Sequence, residues 1–449
     1  MLNRREFVLG STLTLLPAHR RPPNIIVILT DDQGYADTGF QGSKDIRSPN
    51  IDHIAKEGVH FTNGFVSHPF CSPTRAGLMT GRYQQRFGHE NNPIYDPKDE
   101  TVGLPFSEIT LPQLLKSAGY ATGLVGKWHL GATPRHHPLQ RGFSETFCFI
   151  GGRHDYFKSE TEATGREQML PIERNGHAVP LTEYLTDVWN READAFIRRH
   201  RNDPFFLYLA YNAPHNPVQA SDKYLDRFGN IEDKKRRMYA AMLSAVDDGV
   251  GMVLAALKEL KLEQDTLIFF LNDNGGPVPF NGSRNDPLRA GKGSLYEGGI
   301  RVPFAACWPG HLPAGKTFSQ PVISLDILPT ALAAAGVQPP PRLKLDGVNL
   351  LSHLAGQVKA PPHERLFWRT GGGVTWAVRE GRYKLVKVGD APELYDIDAD
   401  IGETKDLLTV HPDLVKKLLT AYQQWNSEMI QPLFPMEGAA PKAAPAERK

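Results

Sequence analysis

Four continuous apolar runs constrain the fold more than any other feature of this sequence. The runs occupy residues 24–30, 122–125, 205–210 and 266–271. Unbroken apolar runs are typical of strands buried on both faces, because a half-exposed strand alternates apolar and polar residues. Helical patterns lie between them, at residues 111–118, 239–260 and 324–335. This alternation predicts an α/β fold with a large, mostly parallel central sheet flanked by helices.

The C-terminal quarter of the sequence has a different character. It follows a run of three prolines at 339–341, and residues 365–388 alternate aromatic, β-branched and charged side chains between glycine turns. This pattern predicts a smaller subdomain with an antiparallel sheet, completed by an amphipathic helix at 412–429. We therefore expect a main domain over 22–340, a C-terminal subdomain over 341–434 and a disordered tail over 435–449, which is rich in Ala, Pro and charge.

The N-terminus resembles a twin-arginine export signal. Arg4 and Arg5 precede Phe7 and a short apolar run over 8–16. We interpret residues 1–21 as this signal and expect a periplasmic or extracellular protein. The alternative is an unstructured N-terminus that merely contains two arginines. The apolar run is too short to span a bilayer, and the sequence predicts no membrane span in the mature chain.

Charge and cysteine content exclude some classes of protein. The net charge of the 449 residues is +1, which disfavours nucleic acid as a partner and requires a local cluster of cations for any anionic substrate. The three cysteines, Cys71, Cys148 and Cys307, cannot all pair with one another, so the chain is not a disulfide scaffold. Cys148 and Cys307 are interpreted as buried thiols, and a bridge between them remains open.

Polar side chains follow each of the four predicted strands. They are Asp31 and Asp32, Lys127 and His129, His215, and Asp273 and Asn274. Ligands of parallel sheets gather at the carboxyl ends of the strands, so these side chains are candidates for one site. Asp31, Asp32, Asp273 and Asn274 are all oxygen donors, and two adjacent carboxylates repel unless a cation lies between them. They predict a site for Ca²⁺ or Mg²⁺, although Asp31 or Asp32 could instead cap a turn.

Three further motifs carry a family resemblance. Residues 71–81 read CSPTRAGLMTG, residues 119–130 read GYATGLVGKWHL and residues 291–299 read GKGSLYEGG. They resemble the formylglycine-dependent sulfatases, which include arylsulfatases and carbohydrate sulfatases of the alkaline-phosphatase-like superfamily. That family carries Cys-x-Pro-x-Arg at the start of a helix, and Cys71, Pro73 and Arg75 match it. The resemblance extends from residue 24 to residue 407.

The resemblance implies a nucleophile and a cofactor. A separate formylglycine-generating maturation enzyme would oxidise Cys71 to an aldehyde, whose hydrate attacks sulfur. Asp31, Asp32, Asp273 and Asn274 would hold the cation, and the group derived from Cys71 would complete its ligands. Ca²⁺ is favoured over Mg²⁺ by the resemblance alone. The domain over 22–340 would then be the catalytic domain.

The resemblance also implies roles for the surrounding residues. Arg75, Lys127 and Lys292 would surround the sulfate oxygens, and His215 or Lys292 would donate a proton to the leaving alcohol. His129 would accept a proton when sulfate is expelled. His154, in the glycine-rich segment 151–156, is predicted to contact the substrate. Most of these residues also have a simpler reading: a buried thiol for Cys71, a surface helix arginine for Arg75, and ordinary loop side chains for His129, His154, His215 and Lys292.

The expected function is hydrolysis of sulfate monoesters on a sulfated carbohydrate. One alternative is a phosphonate monoester or phosphodiester hydrolase with the same nucleophile. Those relatives tend to have His where Asn274 stands and to lack the pair Lys127 and His129. A second alternative is a non-catalytic, sulfatase-like glycan-binding protein, which would be expected to have lost the cysteine or a metal ligand. This sequence retains all of them.

Overall fold

The computed structural model describes residues 21–162 and 167–435. The predicted export signal, apart from Arg21, and the predicted tail, apart from Pro435, lie outside these residues. The strands are β1 (Asn24–Thr30), β2 (Val59–Phe61), β3 (Gly64–Phe65), β4 (Ala121–Lys127), β5 (Glu145–Phe149), β6 (Ile172–Arg174), β7 (His177–Val179), β8 (Phe205–Ala210), β9 (Thr266–Asn272), β10 (Phe304–Cys307), β11 (Lys316–Phe318), β12 (Val322–Ile323), β13 (Arg365–Thr370), β14 (Thr375–Glu380), β15 (Tyr383–Lys387) and β16 (Glu393–Asp396). The helices are α1 (Pro49–Lys56), α2 (Cys71–Thr80), α3 (Leu111–Ser117), α4 (Leu185–Arg199), α5 (Asp222–Leu225), α6 (Lys234–Glu259), α7 (Glu297–Ile300), α8 (Ile327–Ala335), α9 (Leu351–Leu354) and α10 (Pro412–Asn426).

A ten-stranded sheet forms the centre of the main domain. Its order is β11-β2-β10-β9-β1-β8-β4-β5-β6-β7, and the five strands from β9 to β5 are parallel. The four apolar runs are β1, β4, β8 and β9, and they lie side by side at its centre. Leu29 of β1 pairs with both Ala210 of β8 and Leu271 of β9, so these strands end at the same level. The predicted α/β class and mostly parallel sheet are confirmed.

Helices cover both faces of this sheet. One apolar core lies between the sheet and α4 and α6, and a second lies on the opposite face with α2, α3 and α8. Helix α6 begins five residues earlier than the sequence pattern predicts, because the Asp233 side chain accepts a hydrogen bond from the Arg236 amide and caps it.

Helix α6 also corrects the expectation that no internal stretch could span a membrane. By length and composition alone it is long and apolar enough to do so. However, 72% of its most apolar window is buried inside the protein, and it packs against α4. Its apolar character is therefore that of a helix in a protein core.

The C-terminal antiparallel sheet has the order β13-β14-β15-β16, and α10 packs against β14. Both features match the sequence prediction. The apolar core of this sheet includes residues that precede the three prolines, such as Phe65, Tyr296 and Ile323, beside Trp368. The two units are therefore joined by one continuous core. Cys148 and Cys307 are free and buried, so the bridge left open by the sequence does not form.

A buried ionic cluster also joins the two units. Glu297, at the start of α7, accepts a hydrogen bond from Lys384 of β15 at 2.9 Å and lies 3.2 Å from Arg301 and 3.4 Å from Arg379. Lys384 also contacts Glu403 at 2.9 Å. Burial would raise the pKa of Glu297, but Lys384 and the two arginines lower it to about 2. The carboxylate is therefore charged and compensates several buried cations.

Replacing this carboxylate is expected to destabilise the protein strongly. In Glu297→Gln the cations of Lys384, Arg301 and Arg379 lose their shared partner, and breaking a buried ion pair in this way costs about 3–5 kcal/mol. Urea unfolding followed by circular dichroism measures the change. The matched control is Glu364→Gln, because Glu364 is 73% exposed and pairs with Arg365 at the surface. Equal stability of the two variants would contradict the interpretation.

A second contact between the units should depend on pH. His363 Nε2 lies 2.7 Å from Asp326 Oδ1, which also accepts the Val348 amide. Burial would lower the pKa of His363, but Asp326 raises it above its ordinary value. A raised pKa in the folded state adds stability below the unfolded pKa of about 6.5, and this stability is lost as pH rises through the folded pKa.

His363→Gln should therefore destabilise the protein more in acid than in alkali. A hydrogen bond between charged groups contributes roughly 1.5–3 kcal/mol, so a difference of this order is expected below pH 6. Urea unfolding of the variant and the wild-type protein at pH 5.5 and pH 9 tests this. A difference that is constant between the two pH values would exclude the charged pair.

Candidate active site

The polar side chains that follow the central strands lie together at one edge of the sheet. Asp31 and Asp32 follow β1, and Asp273 and Asn274 follow β9. Lys127 ends β4 and His129 comes two residues later, while His215 follows β8. The level strand ends bring Asp31, Asp32, Lys127, Asp273 and Asn274 into direct contact through shared partners, as the following distances show.

Helix α2 begins at Cys71 and presents its N-terminus to this edge. The Cys71 thiol donates to Asp31 Oδ1 at 3.4 Å, and Lys292 Nζ donates to the sulfur at 3.3 Å. Burial, together with Asp273 and Asp31, raises the pKa of the Cys71 thiol well above its ordinary value. The unmodified side chain is therefore a thiol near neutral pH, and a thiol is a weak nucleophile.

Cations surround the first carboxylate. Lys127 Nζ contacts Asp31 Oδ2 at 2.5 Å, and Arg75 Nη2 lies 3.4 Å from the same oxygen. Burial would raise the pKa of Asp31, but Lys127, His215 and Arg75 hold it well below its usual range. Asp31 is therefore ionised although it is fully buried.

Arg75 also binds Asp273, which follows strand β9. Its Nε and Nη2 donate to Asp273 Oδ2 at 3.0 and 2.7 Å, and both side chains are fully buried. Burial and the charge of Asp31 raise the pKa of Asp273 to about 7, against the opposite effect of Arg75. Burial is thus the main reason why Asp273 holds a proton more readily than an ordinary carboxyl group, although Arg75 is bound to it.

The donor set fits a hard divalent cation. Asn274 Nδ2 donates to Asp32 Oδ1 at 2.8 Å, while the buried Asn274 Oδ1 has no hydrogen-bond partner within the described part of the chain. Single ligand atoms of Asp31, Asp32, Cys71 and His215 lie within 4.8 Å of one another. The oxygen donors, which are the carboxylates of Asp31 and Asp32 and the unpartnered amide of Asn274, suit Ca²⁺ or Mg²⁺, while Cys71 and His215 are the softer members of the cluster.

Two histidines lie beside these groups. His215 Nε2 is 3.5 Å from Asp32 Oδ2, and burial lowers its pKa against the opposite effect of Asp31 and Asp32. His129 has a backbone φ of 63°, and its carbonyl oxygen accepts the Ser72 hydroxyl at 2.6 Å. Burial, Lys127 and Arg75 lower the pKa of His129, so its imidazole is neutral and can accept a proton.

A cavity of about 550 Å³ opens onto this cluster. Asp32, His215 and Lys292 form its inner wall, and Arg153, Asp155 and Phe280 are among the other lining residues. His154, the predicted substrate contact, is fully buried, and its ring nitrogens lie 2.6 Å from the carbonyl oxygens of Asp155 and Leu170. The segment 151–156 therefore reaches the cavity through the neighbours of His154.

Comparison with known proteins decides the family. A model described as Sulfatase matches residues 23–337, and one described as N-sulphoglucosamine sulphohydrolase, C-terminal, matches residues 291–425. The chain belongs to the sulfatase family. Members of this family are sulfuric ester hydrolases, so the expected enzyme class is confirmed. The second matched region spans both sides of the three prolines, in agreement with the continuous core described above.

Individual sulfatases match most of the chain. The N-acetylgalactosamine-6-sulfatase of Mus musculus is 38% identical over 398 residues, which cover 83% of this chain and 74% of that protein. Arylsulfatase A of Homo sapiens is 33% identical over 456 residues, which cover 90% and 87%. A crystal structure of Ps i-CgsB in complex with k-i-k-neocarrahexaose is 42% identical, with a TM-score of 0.86 and coverage of 92% of this chain and 94% of that one.

Sequence reasoning missed three residues of the sulfatase cavity: Arg153, Asp155 and Phe280. The first two flank His154 in the segment 151–156, and they line the cavity whereas His154 is buried behind them. Phe280 carries a signal that could have been used. It stands as a large apolar residue in the loop that follows the pair Asp273 and Asn274, where a polar residue is expected.

Proposed function

We propose that this sulfatase hydrolyses sulfate monoesters on a sulfated carbohydrate, with a formylglycine derived from Cys71 and a bound divalent cation. The observation that carries the proposal is the position of Cys71. It lies at the buried N-terminus of α2, 3.4 Å from Asp31 and 3.3 Å from Lys292. Burial and the neighbouring carboxylates raise the thiol pKa of Cys71, so the unmodified side chain is a weak nucleophile, which supports its conversion before it reacts.

The cofactors would be held by groups already described. Asp31, Asp32, Asp273 and Asn274 would bind the cation, and Ca²⁺ is preferred on family resemblance. When present, the cation and the hydrated formylglycine supply an oxygen nucleophile of lowered pKa. A maturation enzyme that oxidises Cys71 is therefore a required partner of this chain. The phosphorus-centred alternative is disfavoured by Asn274 and by the pair Lys127 and His129.

The cations of the site would bind the sulfate group. A sulfate monoester resists attack because its own negative charge repels a nucleophile, so neutralising that charge lowers the barrier. Lys127 pairs with Asp31 and Lys292 pairs with Asp32, so both cations lie beside Cys71. The N-terminus of α2 adds a dipole that favours an anion. Arg75 contacts Asp31 at 3.4 Å and orients Asp273 through two hydrogen bonds.

Proton transfers would involve groups on opposite sides of Cys71. His215 and Lys292 line the cavity where the leaving alcohol must sit, so either can protonate its oxygen. His129 is buried and neutral, so it can accept the proton that is released when sulfate departs. Its unusual backbone conformation is held by the hydrogen bond from Ser72.

The carbohydrate substrate is supported by the cavity and by the relatives. About 550 Å³ is enough for a sulfated sugar ring, and the lining is mixed rather than purely apolar. One similar protein is named for a 6-sulfated amino sugar, and a similar structure holds a neocarrahexaose. We further propose that the twin-arginine-like segment exports the enzyme to the periplasm or beyond, where sulfated polysaccharides are accessible.

The proposed function is tested by a substrate panel. The chain is co-expressed with a formylglycine-generating enzyme, and release of sulfate and phosphate is measured with sulfated sugars, an aryl sulfate and a phosphodiester. Sulfate release from a sugar supports the proposal. Phosphodiester turnover without sulfate release would assign the chain to the phosphorus-centred alternative, and oligosaccharide binding without any turnover would assign it to the glycan-binding alternative.

A further inference from the structure

A second cavity adjoins the one that contains Lys292. It has a volume of about 400 Å³, and the two cavities share Pro277, Phe280 and Lys292 as lining residues. Phe280 therefore stands at the boundary, with one cavity on each side. The space at the candidate active site is consequently an extended cleft that continues beyond the position of a single sugar ring.

Phe280 is exposed and yet firmly positioned. Its side chain is 71% exposed, the highest value among the large apolar residues that the structure describes. The next residue, Asn281, is fully buried and donates to the Asp32 carbonyl oxygen at 2.9 Å. Lys235 Nζ donates to the Pro279 carbonyl oxygen at 2.9 Å. The aromatic ring is thus held in solvent by a loop that is anchored to a cation-site residue.

Keeping an aromatic ring in water has no benefit for folding. Burying a side chain of this size is favourable, and exposed large apolar groups mark binding sites when they line a cavity. The C–H face of a sugar ring is flat and apolar, so it can cover an aromatic ring while its hydroxyl groups remain hydrated. Phe280 has the chemistry and the position for such a contact.

The two cavities differ in how many charged groups line them. The first contains two cations, Lys292 and Arg153, together with the carboxylates of Asp32 and Asp155 and the imidazole of His215. Besides the shared Lys292, the second contains Arg284 and Asp286 among apolar residues that include Val278 and Leu288. The first therefore suits the charged and polar part of the substrate, and the second suits a sugar that presents an apolar face.

We propose that Phe280 and the second cavity form a binding subsite for the sugar next to the sulfated one, so that the enzyme prefers oligosaccharides to isolated sulfated sugars. The proposal rests on the proposed carbohydrate sulfatase function. The occupant follows from the continuity of the two cavities, because a chain whose sulfate lies at Lys292 can continue from the first cavity past Phe280 into the second.

Binding is measured first, without turnover. The Cys71→Ala protein is titrated calorimetrically with sulfated hexasaccharides of carrageenan and of chondroitin, and with the sulfated monosaccharide of each polymer. A hexasaccharide should bind at least about tenfold more tightly than its monosaccharide, and Phe280→Ala in the same background should remove about that factor. Phe280→Tyr, which keeps the ring, should retain it. Equal affinity for both lengths, or an unchanged affinity in Phe280→Ala, would overturn the proposal.

Turnover separates this proposal from the proposed function. In the active protein, Phe280→Ala should lower kcat/KM for the hexasaccharide about tenfold more than it lowers kcat/KM for the sulfated monosaccharide. Val374→Ala is the matched control, because Val374 is 68% exposed on the turn between β13 and β14, far along the chain from the cleft. Loss of both activities to the same degree would overturn the subsite. If no sulfate ester is cut but length-dependent binding persists, the subsite stands and the proposed function fails.

Discussion

Cys71→Ala is expected to remove sulfate release from every substrate of the enzyme. The substitution leaves no side chain that can be oxidised to an aldehyde, and removing a catalytic nucleophile lowers kcat by on the order of 10⁴- to 10⁶-fold. Other buried groups of the site cannot replace it, because Asp31 and Asp273 are bound by Lys127 and Arg75. Initial rates of sulfate release by ion chromatography measure the loss.

The matched control for this variant is Cys148→Ala. Cys148 is also fully buried but lies in β5, within the apolar core under the sheet. This control should lose some stability through the small cavity that it creates, and keep its kcat. Residual sulfate release from Cys71→Ala at a tenth of the original rate would show that another group is the nucleophile.

Removal of the divalent cation is expected to have the second largest effect. Asp31, Asp32 and Asp273 are proposed ligands of the cation, and all three carboxylates are buried, so removing the cation takes away a partner that solvent does not replace. Dialysis against a chelator should therefore abolish activity and lower the melting temperature. Adding Ca²⁺ at 100 times its Kd should restore about 2.7 kcal/mol of stability.

Asn274→Ala distinguishes a specific ion from a general salt effect. The variant removes the unpartnered buried oxygen, so it should weaken Ca²⁺ binding by on the order of tenfold or more, measured as the midpoint of the thermal shift. Asn230→Ala, which alters an exposed asparagine away from the site, should not move that midpoint. Full activity in the presence of chelator would exclude a metal ion from the reaction.

Much of the fold was predictable because strands that are buried on both faces consist of consecutive apolar residues, which can be recognised in the sequence. The runs that became β1, β8 and β9 are apolar on both faces, and their polar successors marked the edge where Asp31 and Asp273 meet. The motif at Cys71 predicted the helix start, since α2 begins at that residue. Local patterns of this kind depend on residues that are neighbours in the chain.

Features that depend on distant segments were not predictable in the same way. The continuous core between Tyr296 and Trp368 and the buried cluster at Glu297 join segments far apart in sequence. The cavity wall is a further example, because whether His154 or Arg153 faces the cleft depends on how the 151–156 loop packs on Leu170. The position of Phe280 likewise depends on the bond between Asn281 and the backbone of Asp32.

The most direct test of the central claim relates activity to the state of one residue. Samples with different degrees of maturation are made by varying co-expression of the formylglycine-generating enzyme. Mass spectrometry of the peptide that contains Cys71 gives the fraction in which the CH₂SH group has become an aldehyde. We predict that kcat for sulfate release is proportional to the converted fraction, and that a sample without any conversion releases no sulfate. Activity that is independent of the converted fraction would contradict the account.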